Sequence, residues 1–586
     1  MALLFQFIGR ILRWLMGGTA SGMPGQPSTP QPAHPVQPPN SANPGTQPTV
    51  VPNPPGASPV VTLPAQGDLD GIDIPGFPDP TPAQPPTRQW TLMIYMAGDN
   101  GLKFETAAGW EQVMAEMTSA GYKDIVEMRT AGTSAEVACV VQFDTVSESD
   151  RSYRIIINPP GQAPTVQNIP ETNTGDPVTL ADFITWGQQS FPAEHYAVVI
   201  WNHGGGWKED DLWARYRDVL PVTRSTEGRK VFGNVAVRKS LFLRTADRIL
   251  NLPDSPPPLP FRSAISGVGR ETVSSALPTG TSIGFSRNDM SDMPSLDDLI
   301  ANSPLPADEP GSTRWIAADD SSKDFLDNSE LQAAFQQAAL VTGETVDIIG
   351  MDACLMAMVE VAYQLRNNAT FLVASQEVEP MAGWDYTGLL NLLVSTPDLQ
   401  PEYVAQAMVE LYMASYASKS EAVTQSVTIL PQLDALAELL NRFVVAVDLH
   451  WASNPALATT LRRAKANALR FDDRDYRDLV DFLRLVVWEM ESLHTAGEEV
   501  ASASAVDAVN RAAQAVLQLL GDPPRSPVLT AGVAGVNYQQ PGTGAYRAHG
   551  LTIYLPDKNI SQFYDGLDFR ISRWGDLIRR LNGIVA

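Results

Sequence analysis

From Trp90 onward the chain alternates short apolar runs with longer stretches whose apolar residues recur every three or four positions. WTLMIYMA (90–97), VACVVQFD (137–144), YRIIIN (153–158), HYAVVIW (195–201), VDIIGMD (346–352) and TFLVASQ (370–376) read as strands, mostly covered on both faces. Between them GLKFETAAGWEQVMAEMTSAG (101–121), 178–190, 330–341 and CLMAMVEVAYQLRN (354–367) carry helical periodicity. The first of these helices is predicted to stop at Gly121 and the last to open at Cys354. DNSE (327–330) suggests a capping box at Asn328 or Ser329. Strands that alternate with helices predict an α/β fold with a mostly parallel sheet flanked by helices. Active sites of such sheets collect at the carboxyl ends of the strands.

The rhythm breaks in three places. Residues 1–16, MALLFQFIGRILRWLM, place Gln6, Arg10 and Arg13 on one side of an amphipathic helix too short to span a bilayer. It reads as an in-plane membrane helix in preference to a secretory signal or a partner-binding helix, because its arginines interrupt the apolar run. Residues 17–88 form a Pro-rich disordered linker, with twenty prolines between Pro24 and Pro86 and no Lys or Arg from Trp14 to Thr87. Residues 208–312 are a long insertion that opens with a basic cluster, GRKVFGNVAVRKSLFLRTADR (228–248). The peptide-like rhythm of the core therefore spans 89–400. From 401 to 586 helical patterns dominate (402–416, 432–450, 456–470, 475–497 and 501–520), and they predict a helix-rich C-terminal subdomain packed on the core. SPVLTAGVAGVN and HGLTIYLP (549–556) are late strands before an amphipathic ending, and no internal repeat is visible.

Charge and cysteine content narrow the picture. With 41 basic and 66 acidic residues the formal charge is −25, which argues against nucleic acid as a partner and for solubility. Two cysteines, Cys139 and Cys354, exclude a disulfide framework. Cys139 sits inside a strand and reads as a small core residue.

Cys354 follows a strand, and so does His203, in VVIWNHGGGW (198–207). A thiol nucleophile needs an imidazole to take and return its proton, and backbone N–H groups aimed at the developing oxyanion. Cys354 at a helix start would have its pKa lowered by the helix end. Glycines after His203 allow a sharp turn and close backbone approach, so the N–H groups of Gly204 and Cys354 are the candidate oxyanion donors. On spacing alone His203 reads more readily as a turn or packing residue, and Cys354 as a structural one. His34, His195, His450, His494 and His549 have no glycine-rich turn beside them. No metal site or phosphate loop is apparent. DDSSKDFLDNSE (319–330) is acidic but lacks the spacing and glycine of an EF-hand, so no cofactor is required and calcium stays open.

YMAGDNGL (95–102), WNHGGGW (201–207), MDACLMAMVEVAYQL (351–365), ASQEVEPMAGWDYTGLL (374–390) and HGLTIYLP together resemble, in the same order, the clostripain family of cysteine peptidases. The resemblance implies a caspase-like fold and a His–Cys pair, with the histidine on His203 and the nucleophile on Cys354. It implies that Asp352 helps form a pocket for a basic side chain, hence cleavage of peptides and proteins after Arg or Lys; the bland reading of Asp352 is a helix cap. Asp385 is a second candidate pocket acid or a turn residue, and Trp384 a candidate pocket wall. Asp99 and Asn100 read first as plain turn residues and second as substrate contacts, and Trp207 as packing. The resemblance also implies self-processing between His203 and Cys354, for which Arg229, Lys230, Arg238, Lys239, Arg244 and Lys323 are candidate cut sites. An extracytoplasmic or membrane-peripheral location is expected, with peripheral membrane contact through 1–16. Two rivals remain: a transpeptidase that uses the same thioester, and a non-catalytic, membrane-tethered adaptor on a peptidase-like fold.

Overall fold

A computed structural model describes residues 88–99, 116–145, 151–207, 316–319, 324–419, 421–495, 503–539, 545–561 and 563–584, with Ser322 and the short strand pair Thr223–Arg224 and Lys230–Val231 besides. All fall in one compact unit, Pro80–Ala586. The helix expected at 1–16, the linker up to Thr87, Asn100 and nearly all of the 208–312 insertion lie outside the described residues.

Five parallel strands form the centre of a nine-stranded sheet: β1 (Arg88–Gly98), β2 (Val137–Thr145), β5 (Ala193–Trp201), β8 (Ile348–Asp352) and β9 (Phe371–Ala374). On one edge β3 (Arg151–Ile156) and β4 (Thr165–Pro170) add as antiparallel strands. On the other, β10 (Val423–Ile429) and β12 (Val528–Ala534) do the same, giving the order β12-β10-β9-β8-β5-β1-β2-β3-β4. The sheet therefore draws strands from both sides of residue 400. The apolar runs serve two cores because strand side chains alternate faces. Leu92, Ile94 and Met96 of β1 join Ile125 and Met128 of α1 (Glu116–Ala131) and Leu389 and Met408, from α5 (Tyr386–Ser395) and α6 (Pro401–Tyr416). Met93, Tyr95 and Ala97 face the other core, with Phe183 of α2 (Pro177–Ser190), Leu331 of α3 (Asn328–Thr342) and Val361 of α4 (Val359–Gln364). That second core continues into the C-terminal helices α7 (Leu433–Trp451), α8 (Pro455–Asn467), α9 (Leu479–Thr495), α10 (Ala503–Gly521) and α11 (Trp574–Asn582). Two short pairs complete the body: β6 (Ile316–Asp319) with β7 (Asp324–Leu326), and β11 (Tyr476–Asp478) with β13 (Thr552–Tyr554). Among the described residues no helix is long and apolar enough to cross a membrane.

Four boundaries differ from the sequence expectation. Helix α1 runs past Gly121 to Ala131. A Cβ on Gly121 would sit 2.6 Å from the Phe143 ring, so this glycine permits close packing on β2 and does not stop the helix. Residues after Cys354 do not open a helix. Leu355 N–H donates to Glu377 O (3.1 Å) and Ala357 N–H to Ser375 O (2.8 Å), so the N–H groups that a first helical turn would carry are bound sideways to the next loop. The helix starts at Val359, with Met358 as an extended cap residue. The capping box of α3 is centred on Asp327, whose carboxylate accepts from Ser329 and Glu330 N–H while Glu330 accepts from Asp327 N–H at 3.1 Å. Last, residues 476–478 at the start of the expected 475–497 helix form a strand.

Candidate active site

The β5–β8 ladder sets the geometry. Trp201 pairs with Asp352, and one further bond from Asn202 N–H to Asp352 O (3.2 Å) extends the ladder just past the strand ends. The Asn202 side-chain amide holds the opposite side by donating to Ala97 O of β1 (2.5 Å). Continued at about 4.8 Å between strands, this register carries His203 alongside Cys354. Both residues are half-buried, while Asn202, Gly204, Ala353 and Leu355 around them are buried.

Gly204 lies against the cysteine backbone. A Cβ there would sit 2.2 Å from Cys354 O and 2.7 Å from Cys354 N, closer than any side chain tolerates. Its N–H is hydrogen-bonded to the Cys354 thiol, and Glu379 N–H donates to the same sulfur at 3.3 Å. Two backbone donors therefore converge on the Cys354 sulfur. Leu355, next in sequence, has φ 64, a left-handed conformation that costs a non-glycine residue about 1–2 kcal/mol. The bonds from Leu355 and Ala357 to the 375–377 loop hold that turn.

Burial pushes the Cys354 thiol up to about 12, against the pull of the Glu379 and Gly204 N–H groups; the charges of Glu379 and Glu377 add to the rise. The expectation of a thiol lowered by a helix start is therefore overturned, because no helix starts there.

Below the cysteine lies a group of buried acids. Asp352 accepts from Tyr386 Oη at 2.8 Å and from the Trp384 backbone N–H, and Glu379 hydrogen-bonds to it. Burial raises Asp352 to about 6. Burial, then the charge of Asp352, raises Glu379 well above its ordinary range. Glu379 is held by Trp384 Nε1 (3.1 Å) and Gln425 Nε2 (3.2 Å). Asp124 of α1 accepts from Trp201 Nε1 at 2.7 Å and is raised by burial and then by Asp352. A Cβ on Gly383 would meet Asp352 at 3.2 Å and Asp124 at 3.6 Å, so both carboxylates face one glycine.

The other candidates divide. Trp384 is buried, its ring 3.0 Å from where a Gly350 Cβ would be, against β8. Asp385 caps α5, accepting from Gly388 N–H at 2.7 Å, which is its turn-residue reading. Trp207 packs edge-on against Tyr554 and Tyr564. Asp99 is buried at the end of β1. Of the candidate cut sites only Lys230 lies among the described residues, in the pair with Thr223–Arg224. Glu379 was within reach of sequence reasoning, since it stands in the ASQEVEPMAGWDYTGLL motif. Nothing in its local sequence marked Asp124, which a helix on the far side of β1 brings in.

The sequence matches the profile of the Clostripain family over residues 114–219 and 305–576, more than half of the chain. No curated protein matches it significantly. Among solved structures it is similar to a secreted C11 cysteine protease from Bacteroides thetaiotaomicron in complex with an irreversible peptide inhibitor, at 17% identity and a TM-score of 0.45, covering 83% of this chain and 99% of that one. Iotapain, a secreted C11 cysteine protease from the same organism, gives 13% and 0.46, again over 83% of this chain and 99% of that one. An inactive zymogen C11 protease from Parabacteroides distasonis gives 16% and 0.44 with the same coverage.

Proposed function

The chain belongs to the clostripain family of cysteine peptidases, and from that premise we propose that it cleaves peptides after Arg or Lys with Cys354 as nucleophile and His203 as proton carrier. The observation that carries the proposal is the contact of Gly204 with Cys354, which brings the histidine-bearing turn and the thiol into one site. A thiol held near 12 is not a standing thiolate at neutral pH. Its proton passes to His203 as the sulfur attacks the peptide carbonyl. The Gly204 N–H, already at the sulfur, and the Cys354 N–H donate to the oxyanion. His203 then gives its proton to the leaving amine, and a thioester remains. Water, deprotonated by His203, adds to that thioester and releases the acid and the thiol.

Specificity for a basic side chain rests on Asp352 with its acidic neighbours. A negative site beneath the thiol, poorly screened by solvent, attracts a guanidinium or ammonium and repels acidic side chains. Trp384 acts from behind, by holding Glu379 through Nε1. Self-processing at a basic residue between His203 and Cys354 follows from the same specificity. An extracytoplasmic site of action, with peripheral membrane contact through residues 1–16, is part of this reading.

Fluorogenic peptides ending in Arg, Lys, Asn, Asp or Leu test it. Turnover of the Arg and Lys substrates, lost in Cys354→Ala and in His203→Ala, is expected. Turnover confined to Asn or Asp substrates would remove the role given to Asp352, and full activity in His203→Ala would remove the pair. Adding an amine nucleophile to the same assay tells hydrolysis from transpeptidation by the product.

A further inference from the structure

The loop after β9 meets the cysteine turn at three points. Ser375 O and Glu377 O accept from the Ala357 and Leu355 N–H groups, at 2.8 and 3.1 Å, and Glu379 N–H donates to the Cys354 sulfur at 3.3 Å. Where this loop sits therefore decides where the sulfur sits. Between the two carbonyls stands Gln376, a polar side chain only 1% exposed. Its Nε2 donates to Asp478 Oδ2 of β11 at 3.0 Å, and its Oε1 accepts from Gly550 N–H at 2.7 Å. Its backbone N–H donates to Thr424 Oγ1 of β10 at 3.0 Å.

The partners of that amide are themselves fixed. Asp478 is fully buried. Its Oδ1 accepts from Asp481 N–H at 2.8 Å and lies 2.9 Å from His549 Nδ1, while Oδ2 also accepts from His549 N–H at 2.7 Å. His549 Nε2 lies 2.7 Å from the Arg484 guanidinium, so the ring is held at both nitrogens. Gly550 has φ 96, and a Cβ there would meet Val528, Ala531 and Ser426 at 3.0–3.1 Å, which leaves the turn presenting its N–H little room to move. Glu377 is bound by the same region: Oε1 accepts from Asp472 N–H at 3.0 Å and Oε2 from Tyr538 Oη at 3.1 Å. Position 376 needs an amide, because it must donate to a carboxylate and accept from an N–H at once. Satisfied buried networks of this kind rigidify what they join.

We infer that Gln376 is a positioning residue for the peptidase reaction: its amide ties the loop that holds the thiol to Asp478 and Gly550, and so sets where the Cys354 sulfur lies. The inference rests on the reading of Cys354 as nucleophile. Gln376 acts through the loop and not on substrate. The region beyond residue 470 thereby takes part in catalysis, supplying Asp478, His549 and Gly550 as the anchorage. A displacement of about 1 Å at the reacting atom costs about 10²-fold in rate.

Two variants of the full chain test it, assayed on an Arg peptide beside wild type and Cys354→Ala, with circular dichroism to confirm folding. Gln376→Met keeps the length of the side chain and loses both bonds. It should lower kcat by about 10²-fold, while the inhibition constant of agmatine, a basic group with no scissile bond, stays within about twofold of wild type. Gln376→Glu, when ionised, sets a second carboxylate against Asp478. Its kcat relative to wild type should rise as pH falls from about 8 to about 5.5, because the protonated carboxyl again donates to Asp478 and accepts from Gly550. His549 and Arg484, the other charged groups around Asp478, are common to both proteins, so the ratio isolates residue 376. Should Gln376→Met not fold, that ratio decides alone. Wild-type kcat in the folded variants, a ratio flat in pH, or a loss of agmatine binding as large as the loss of kcat would overturn the role of Gln376. Activity retained in Cys354→Ala would overturn the nucleophile, and the inference with it.

Discussion

Gly204 is the residue on which the active-site geometry turns. Its missing side chain lets the histidine turn lie on the Cys354 backbone, and its N–H reaches the sulfur. Gly204→Ala is therefore expected to leave a folded protein whose kcat/KM on the best peptide is down by about 10²–10³-fold, the size of a lost oxyanion donor. Circular dichroism and kinetics on one preparation check both halves, and an alanine variant with wild-type kinetics would remove Gly204 from the oxyanion site. At this scale the position of both residues was legible: His203 and Cys354 each follow a strand, as expected. The sequence was not legible where function depends on what lies underneath. The rise of the Cys354 thiol comes from burial and from Glu379, which is 25 positions away in the chain. The helix start that would have lowered it disappears because the N–H groups of Leu355 and Ala357 are taken by a distant loop.

Among the elements, α4 is a six-residue helix that buries an acid. Glu360 is fully buried; its Oε1 accepts from Tyr554 N–H (3.0 Å) and Tyr564 Oη (3.1 Å), and its Oε2 has no partner. Burial raises it from 4.5 to about 7. A carboxyl whose folded pKa lies above its unfolded one stabilises least when ionised, so stability falls as pH rises from about 4.5 through 7 and is flat above. Glu360→Gln removes that titration while keeping the acceptor. The gain in thermal midpoint over wild type should thus grow from pH 5 to pH 8, corresponding to about 3 kcal/mol at most. A gain that is the same at both pH values would show that Glu360 does not titrate in the folded protein. The long helices and continuously apolar strands were legible because their pattern and their burial agree. β10, VTQSVTI, was not: its polar Thr424, Ser426 and Thr428 are buried too, so it has neither an apolar run nor an exposed polar face.

For the whole molecule, the two halves of the proposed active site follow adjacent strands that are far apart in sequence. His203 follows β5 and Cys354 follows β8, and the two strands pair from Ala197 to Trp201 along the centre of the sheet. If the chain cuts itself between them, the fragments remain joined by that pairing and by the shared core. Denaturing mass spectrometry of the purified wild type should show two fragments that meet at a basic residue. Size exclusion should show one species, and Cys354→Ala should stay a single chain. A fully active protein with no internal terminus would sink self-processing. The parallel centre of the sheet was foreseeable from alternating strands and helices, but its strand order and the recruitment of β10 and β12 from beyond residue 400 were not, because antiparallel edge strands leave no crossover signature.

That same central pairing has an entropic side. The free-energy cost of closing a connection grows with the logarithm of its length, about 0.6 kcal/mol for each doubling. Once the segment leaving Trp207 and returning at Ile316 was long, further lengthening cost the fold almost nothing. The centre of the sheet is thus a thermodynamically tolerant place for sequence to accumulate, and chain length there is free to vary on grounds other than stability.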